Sequence, residues 1–258
     1  MKKKETTVHL ADFPEELQAY LRASKIYDSS SRSGSKVLYS DKGYYLKIDD
    51  CGKLAQEATV ARWFWQKGIG VKVVHYLTAD QDYLLTEEAI GQDATHFLDN
   101  PEKLCQIMAE TLHMLHGLVP SRFPRQNRLA DYHETAMKNY QKGSFYDRAL
   151  LPQFGLTSRE QAYQYICDNS HLLQEDTFIH GDFCLPNLIL KGDYQFSALI
   201  DFDSAGWGDH HIDLFWGIWS LNHNLGTDAY TDYFLDCYGR EKVDLARLKL
   251  VVAYEAFG

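Results

Sequence analysis

Two hydrophobic periods divide the chain. In "YYLKI" polar and apolar positions alternate with period two, setting Tyr45 and Lys47 on one face and Tyr44, Leu46 and Ile48 on the other. The longer stretch "SKVLYSDKGYYLKID" therefore predicts two strands joined at Asp41-Lys42-Gly43. "PEELQAYLRAS" predicts a short amphipathic helix ahead of them, and "KLAQEATVARWFWQKG" a second helix with Leu54, Ala58, Ala61 and Trp65 on one face. "VKVVHYLTADQDYLLTEEA" predicts a further strand pair, 71–78 and 83–88. From Pro101 onward the period becomes helical: 101–118, 130–142, 157–169 and the stretches after Asp213, broken by one hairpin, "NLILKGDYQFSALID". The pattern predicts an α+β chain in two lobes. A small antiparallel β lobe with one packed helix spans residues 1–88, a larger and mainly helical lobe spans 89–258, and the hinge falls at about 86–92.

Composition changes this picture little. The chain of 258 residues, 45% hydrophobic and 24% charged, has ordinary globular usage. A formal net charge of −10 argues against nucleic-acid binding. The basic start "MKKKETTVHLADFP" is followed by no apolar stretch, and no run of about eighteen apolar residues occurs, so neither a signal peptide nor a membrane span is expected. The five cysteines show no CxxC spacing, which predicts reduced thiols and a cytoplasmic setting. Cys184 is expected to pack rather than to act as a nucleophile, and the oligomeric state is not legible.

Chemistry gathers in "HGDFCLPN", 180–187, and "IDFDSAGWGDHHIDL", 200–214. Asp182, then Asn187, then a hairpin ending in Asp201 is the order of a phosphoryl-transfer loop. The first carboxylate accepts the proton of an attacking hydroxyl. Asn187 and Asp201 offer hard oxygen ligands for Mg²⁺ on nucleotide phosphates. Tyr45 and Lys47 stand roughly 7 Å apart along one strand face, enough for an aromatic ring on a purine and an ammonium on phosphates. Glu57, on the adjoining helix, can pair with Lys47. The turn Ser33-Gly34-Ser35 lacks the glycine-rich phosphate patterns, yet can present hydroxyl and N–H donors to phosphate. His180 is expected to hold its loop, and His113 and His116 to be structural.

With "YLKI", Glu57, "LLTEEAIG", "LHGL", "HGDFCLPNLIL", "IDFDSAGWGD" and "YEAFG" in place, the chain resembles the aminoglycoside 3′-phosphotransferases, within the kinase-like fold that includes choline kinases. The resemblance implies a bilobal protein-kinase-like architecture and ATP- and Mg²⁺-dependent phosphorylation of an aminoglycoside hydroxyl, an antibiotic-resistance activity. It implies Asp182 as catalytic residue, Asn187 and Asp201 as metal ligands, and Lys47 with Glu57 as the phosphate-positioning pair. Tyr45 falls where an aromatic stacks on adenine, and Glu87 and Ala89 where the hinge backbone bonds its edge. Asp147, Glu255 and the carboxylate of Gly258 are the candidate acceptor ligands. Three alternatives stay open: a kinase for another amino or sugar alcohol, a two-metal phosphohydrolase using His180, Asp182, Asp201, Asp209 and His210, and an inactive nucleotide-binding module. Asp203-Ser204, where Gly-Arg often follows the metal aspartate, and the extra terminal glycine leave the acceptor's identity open.

Overall fold

Alternation becomes a sheet edge by edge in the computed structural model, which describes residues 4–30, 34–118, 128–175 and 177–258. Strands β1 (Lys4–Thr6), β2 (Ile26–Asp28), β3 (Lys36–Ser40), β4 (Tyr44–Asp49), β5 (Val73–Thr78) and β6 (Asp82–Glu87) form one antiparallel sheet, ordered β1-β2-β3-β4-β6-β5. Leu38, Leu46, Ile48 and Leu85 bury one face against Leu17 and Leu21 of helix α1 (Glu15–Leu21), with Phe13 and Tyr83 closing the cluster. Each such side chain contributes about 1.5–3 kcal/mol on burial. Helix α2 (Ala55–Gln66) serves the opposite face, where its Glu57 meets Lys47.

The buried stripe of α2 is rotated from the one read in the sequence. Glu57, Ala58, Val60, Ala61 and Phe64 are buried, whereas Trp65 is 40% exposed. The cause is Phe64, whose ring stacks on Phe202 with centroids 4.4 Å apart and so turns Trp65 outward.

Strand β7 (Gln92–Asp93) is where the chain passes from one compact unit to the other. The second unit holds helices α3 (Pro101–His116), α4 (Arg128–Gln141), α5 (Arg159–Asn169), α6 (His210–Leu225), α7 (Thr231–Tyr238) and α8 (Leu245–Glu255). It also holds the antiparallel pair β8 (Thr177–Ile179) and β11 (Gly206–Gly208). Helices α3 and α6 start on side-chain caps: Asn100 accepts from Lys103 N–H before Pro101, and Asp209 accepts from His211 N–H. Between them run the hairpin strands β9 (Leu188–Lys191) and β10 (Gln195–Leu199). Among the described residues, no helix is long and apolar enough to cross a membrane.

The division by contact differs from a single cut near residue 88. The first unit runs to Gln92 and takes back Ile189–Lys191 and Ser197–Asp203. A parallel bridge joins Gly70 to Leu199, whose N–H donates to the Ile69 carbonyl at 2.8 Å. Strand pairing with a partner more than a hundred residues away is invisible to local periodicity.

Gly91 makes a second such approach, with φ +127° and the position of a Cβ only 2.1 Å from the Leu190 carbonyl oxygen. Gly91→Ala should cost about 3 kcal/mol and lower the melting temperature by roughly 6–12 °C. Gly68→Ala, with φ +74° but open space around it, should cost only about 1 kcal/mol. Calorimetry on the two variants checks this; equal shifts would refute the backbone contact.

Candidate active site

On the first unit, β4 presents Lys47 beneath α2. Its ammonium donates to Glu57 Oε1 at 2.9 Å and lies 3.3 Å from Asp201 Oδ1. Burial disfavours the Lys47 charge, but the Asp201 and Glu57 carboxylates outweigh it and raise the ammonium's pKa. Burial pushes the Glu57 carboxyl up to about 7, against the pull of Lys47. Asp201 is half exposed and sits at φ +64°, a left-handed conformation uncommon outside glycine. It is held there between Leu199, bonded to Ile69, and Phe202, stacked on Phe64.

Tyr45 shares the Lys47 face, pairs with Tyr39 across β3, and packs its ring at 4.8 Å from that residue. Glu87 ends β6, its N–H donating to Lys72 O and its carboxylate paired with Lys72 Nζ at 2.8 Å. Ala89 lies just beyond, half-buried, in a pocket of about 440 Å³ also lined by Gly43, Glu87 and Ile90. Ser33 lies outside the described residues; its neighbour Ser35 donates to Asp49 Oδ2 at 2.6 Å.

On the second unit, β8 delivers the chain into a loop with little regular bonding. A buried carboxylate takes over that task. Asp213, in the first turn of α6 and fully enclosed, accepts the His180 N–H at 2.9 Å on Oδ2 and the Gly181 N–H at 2.8 Å on Oδ1. His116, from the end of α3, bonds Asp213 Oδ2 through Nε2 at 3.0 Å and the Tyr238 hydroxyl through Nδ1 at 2.8 Å. The sequence reading assigned no role to Asp213 and a merely structural one to His116. The available signal was the second acid of "DHHIDL", four residues after Asp209. Gly181 is obligatory: φ is +81° and a Cβ would stand 2.2 Å from the Ser204 carbonyl oxygen.

The clamp leaves Asp182 half-buried. Asn187, inside a 3₁₀ turn at Leu185–Asn187, donates its amide to both the Asp182 carbonyl and Oδ2, each at 2.9 Å. His180 is fully buried, and its Nδ1 accepts the Asp182 N–H at 3.3 Å, so it holds the loop as expected.

The candidate acceptor acids differ among themselves. Glu255, at the end of α8, is buried, and its Oε1 accepts from the Tyr132 hydroxyl at 2.9 Å and from Trp216 Nε1 at 3.1 Å. Burial pushes its carboxyl up to about 7, with Asp182 adding to the rise and Tyr132, Arg128 and Trp216 opposing it. Asp147 and Gly258 are exposed. The segments carrying them are tied together, since Tyr146 N–H donates to Ala256 O at 2.8 Å. Asp209, by contrast, spends its oxygens on Arg247, His211 and the Gln174 N–H. Those bonds, led by His211, overcome burial and hold its carboxyl at about 2.

Comparison with known proteins agrees with this geometry. The model of the phosphotransferase enzyme family matches residues 27–251. The chain is 42% identical, over 99% of its length and 98% of the relative's, to a probable aminoglycoside 3′-phosphotransferase of Lactococcus lactis subsp. lactis. It is 32% identical to an aminoglycoside 3′-phosphotransferase of Niallia circulans, over 68% of this chain and 67% of that one. In fold it resembles the type VIII aminoglycoside-3′-phosphotransferase (TM-score 0.72, 22% identity, 98% of this chain and 100% of that one). A Streptomyces rimosus aminoglycoside phosphotransferase solved with ADP and streptomycin aligns with TM-score 0.71 at 21% identity, over 86% of this chain and 90% of that one. With its architecture, its HGD loop and its lysine–glutamate pair alike in place, the chain belongs to the phosphotransferase enzyme family, alongside the aminoglycoside 3′-phosphotransferases.

Proposed function

We propose that this phosphotransferase moves the γ-phosphoryl group of ATP to a hydroxyl of an aminoglycoside, and that Asp182 is its catalytic carboxylate. The observation that carries the reading is the Asp182–Asn187 pair, which leaves a half-buried carboxylate oriented by a neighbour's amide. Asp182 takes the acceptor's hydroxyl proton as the oxygen attacks phosphorus, and it aligns that oxygen. Lys47, steered by Glu57, holds phosphate oxygens; its charge is favoured by the two carboxylates beside it. Tyr45 offers a ring face to the adenine, and Ser33 a hydroxyl to phosphate. The hinge backbone at Glu87 and Ala89 offers the adenine edge its hydrogen bonds.

A magnesium ion suits the donors present. Asn187 spends its amide nitrogen on Asp182, which leaves the hard carbonyl oxygen for a cation, and Asp201 adds a half-exposed carboxylate. When bound, the ion neutralises phosphate charge. Asn187 and Asp201 would hold it.

Acceptor recognition rests in this reading on Glu255 and Asp147, whose carboxylates complement ammonium groups. A choline-like acceptor is the second reading, favoured by Trp216 beside Glu255 and by Trp219, 5.6 Å from Trp216 between centroids, since indole faces attract quaternary ammonium. The phosphohydrolase reading loses Asp209, whose oxygens are already committed. A coupled ADP-release screen over aminoglycosides, choline and related polyols separates the acceptors. Turnover with aminoglycosides supports the proposal, and turnover confined to a neutral or singly charged alcohol refutes it.

Asp182→Asn should lower kcat by about a thousandfold, with the ATP dissociation constant changed less than about twofold. Stopped-flow turnover together with calorimetric ATP titration checks this, and a loss of only a few-fold would remove Asp182 as the base.

Glu255 gives a pH prediction. Its carboxyl, raised to about 7, is largely neutral at pH 6, so kcat/KM for a cationic acceptor should rise as pH climbs through about 7. Glu255→Gln should flatten that rise, increase the acceptor KM roughly tenfold and spare the ATP KM. The stability effect has the opposite slope: the raised carboxyl stabilises the fold fully below its ordinary 4.5, and this is lost as pH passes about 7. Identical pH profiles for the variant and the parent would contradict both assignments.

A further inference from the structure

Each oxygen of the Asp182 carboxylate has its own donor. Asn187 Nδ2 donates to Oδ2 at 2.9 Å, and the Cys184 thiol donates to Oδ1 at 3.0 Å. The thiol is anchored from both sides. Cys184 N–H closes a tight turn onto the Asp182 carbonyl at 2.8 Å, and the following Leu185 N–H donates to the buried Ser220 Oγ of α6 at 2.9 Å. A thiol donates only while it keeps its proton. Burial, the Asp182 charge and the Asp182 hydrogen bond all push the Cys184 thiol well above its ordinary value, so the proton stays in place at neutral pH. The terminal torsion of an aspartate is broad and roughly two-fold. With Asn187 alone, the carboxylate plane is therefore held at one corner only.

We propose that Cys184 is a positioning residue whose S–H fixes the plane of the Asp182 carboxylate, leaving its free lone pairs aimed at the acceptor hydroxyl. The sulfur forms no covalent bond and is not a nucleophile. The proposal rests on Asp182 being the proton acceptor, and it assigns the cysteine of "HGDFCLPN" a part in the chemistry rather than in packing alone.

Three variants test it: Cys184→Ala, Cys184→Val, which leaves no cavity in place of the thiol but has no donor, and Cys184→Ser, which keeps one. In the donorless variants kcat should fall roughly tenfold while the ATP KM stays within about twofold. Serine should restore kcat to within about threefold. Valine carries the test should alanine fail to fold, and melting curves identify that case. An unchanged kcat in a folded donorless variant overturns the proposal, as does a serine variant as impaired as alanine. Asp182→Asn separates the two levels. If that variant keeps its turnover, the underlying reading falls; if it is inactive while Cys184→Ala is indifferent, only the role of Cys184 falls.

Discussion

A single buried carboxylate organises the second unit. Asp213 is fully enclosed, and isolated burial of such a charge would be prohibitive. It is tolerated because two backbone N–H groups and an imidazole converge on it, from His180, Gly181 and His116. The bonds work in both directions: the loop solvates the charge, and the charge gives the loop a shape that no strand or helix supplies. Gly181 makes the approach possible, since any side chain would strike Ser204. Asp182 inherits its place from this arrangement, and Asn187 and Cys184 then set its carboxylate.

The first unit solves a different problem. Lys47 is charged beneath a helix, where burial opposes it, and two carboxylates make the charge favourable. One of them, Asp201, comes from a segment that returns to this unit late in the chain and is held by the Phe202–Phe64 stack and the Leu199–Ile69 bond. Its left-handed backbone is the kind of local strain that surrounding packing must enforce. Each unit thus holds a charged cluster whose members are fixed by contacts remote in sequence.

Those remote contacts mark the limit of what the sequence could tell. The strand of "YLKI" was legible because one face is apolar, that of "YLLTE" because a short apolar run follows a polar turn, and the helix at 101–118 because its apolar period is local. Strands β1 and β2, three residues each, are too short to alternate visibly. The α2 stripe was misjudged at Trp65 because the stack that turns Phe64 inward uses Phe202. The order Asp182, Asn187, Asp201 announced phosphoryl transfer, whereas Asp213 read as one acid among several until its two backbone donors were seen. Glu255 was legible as a candidate, but its burial beneath Tyr132 and Trp216 was not.

The destination of the phosphoryl group decides the matter most directly. ATP labelled in its γ-phosphoryl group would be incubated with the purified chain, magnesium and a kanamycin-class aminoglycoside, and the products resolved by chromatography and phosphorus NMR. The label should appear as a phosphate monoester on one hydroxyl of the antibiotic. Label released as inorganic phosphate at the same rate with and without the aminoglycoside would contradict phosphoryl transfer to that acceptor.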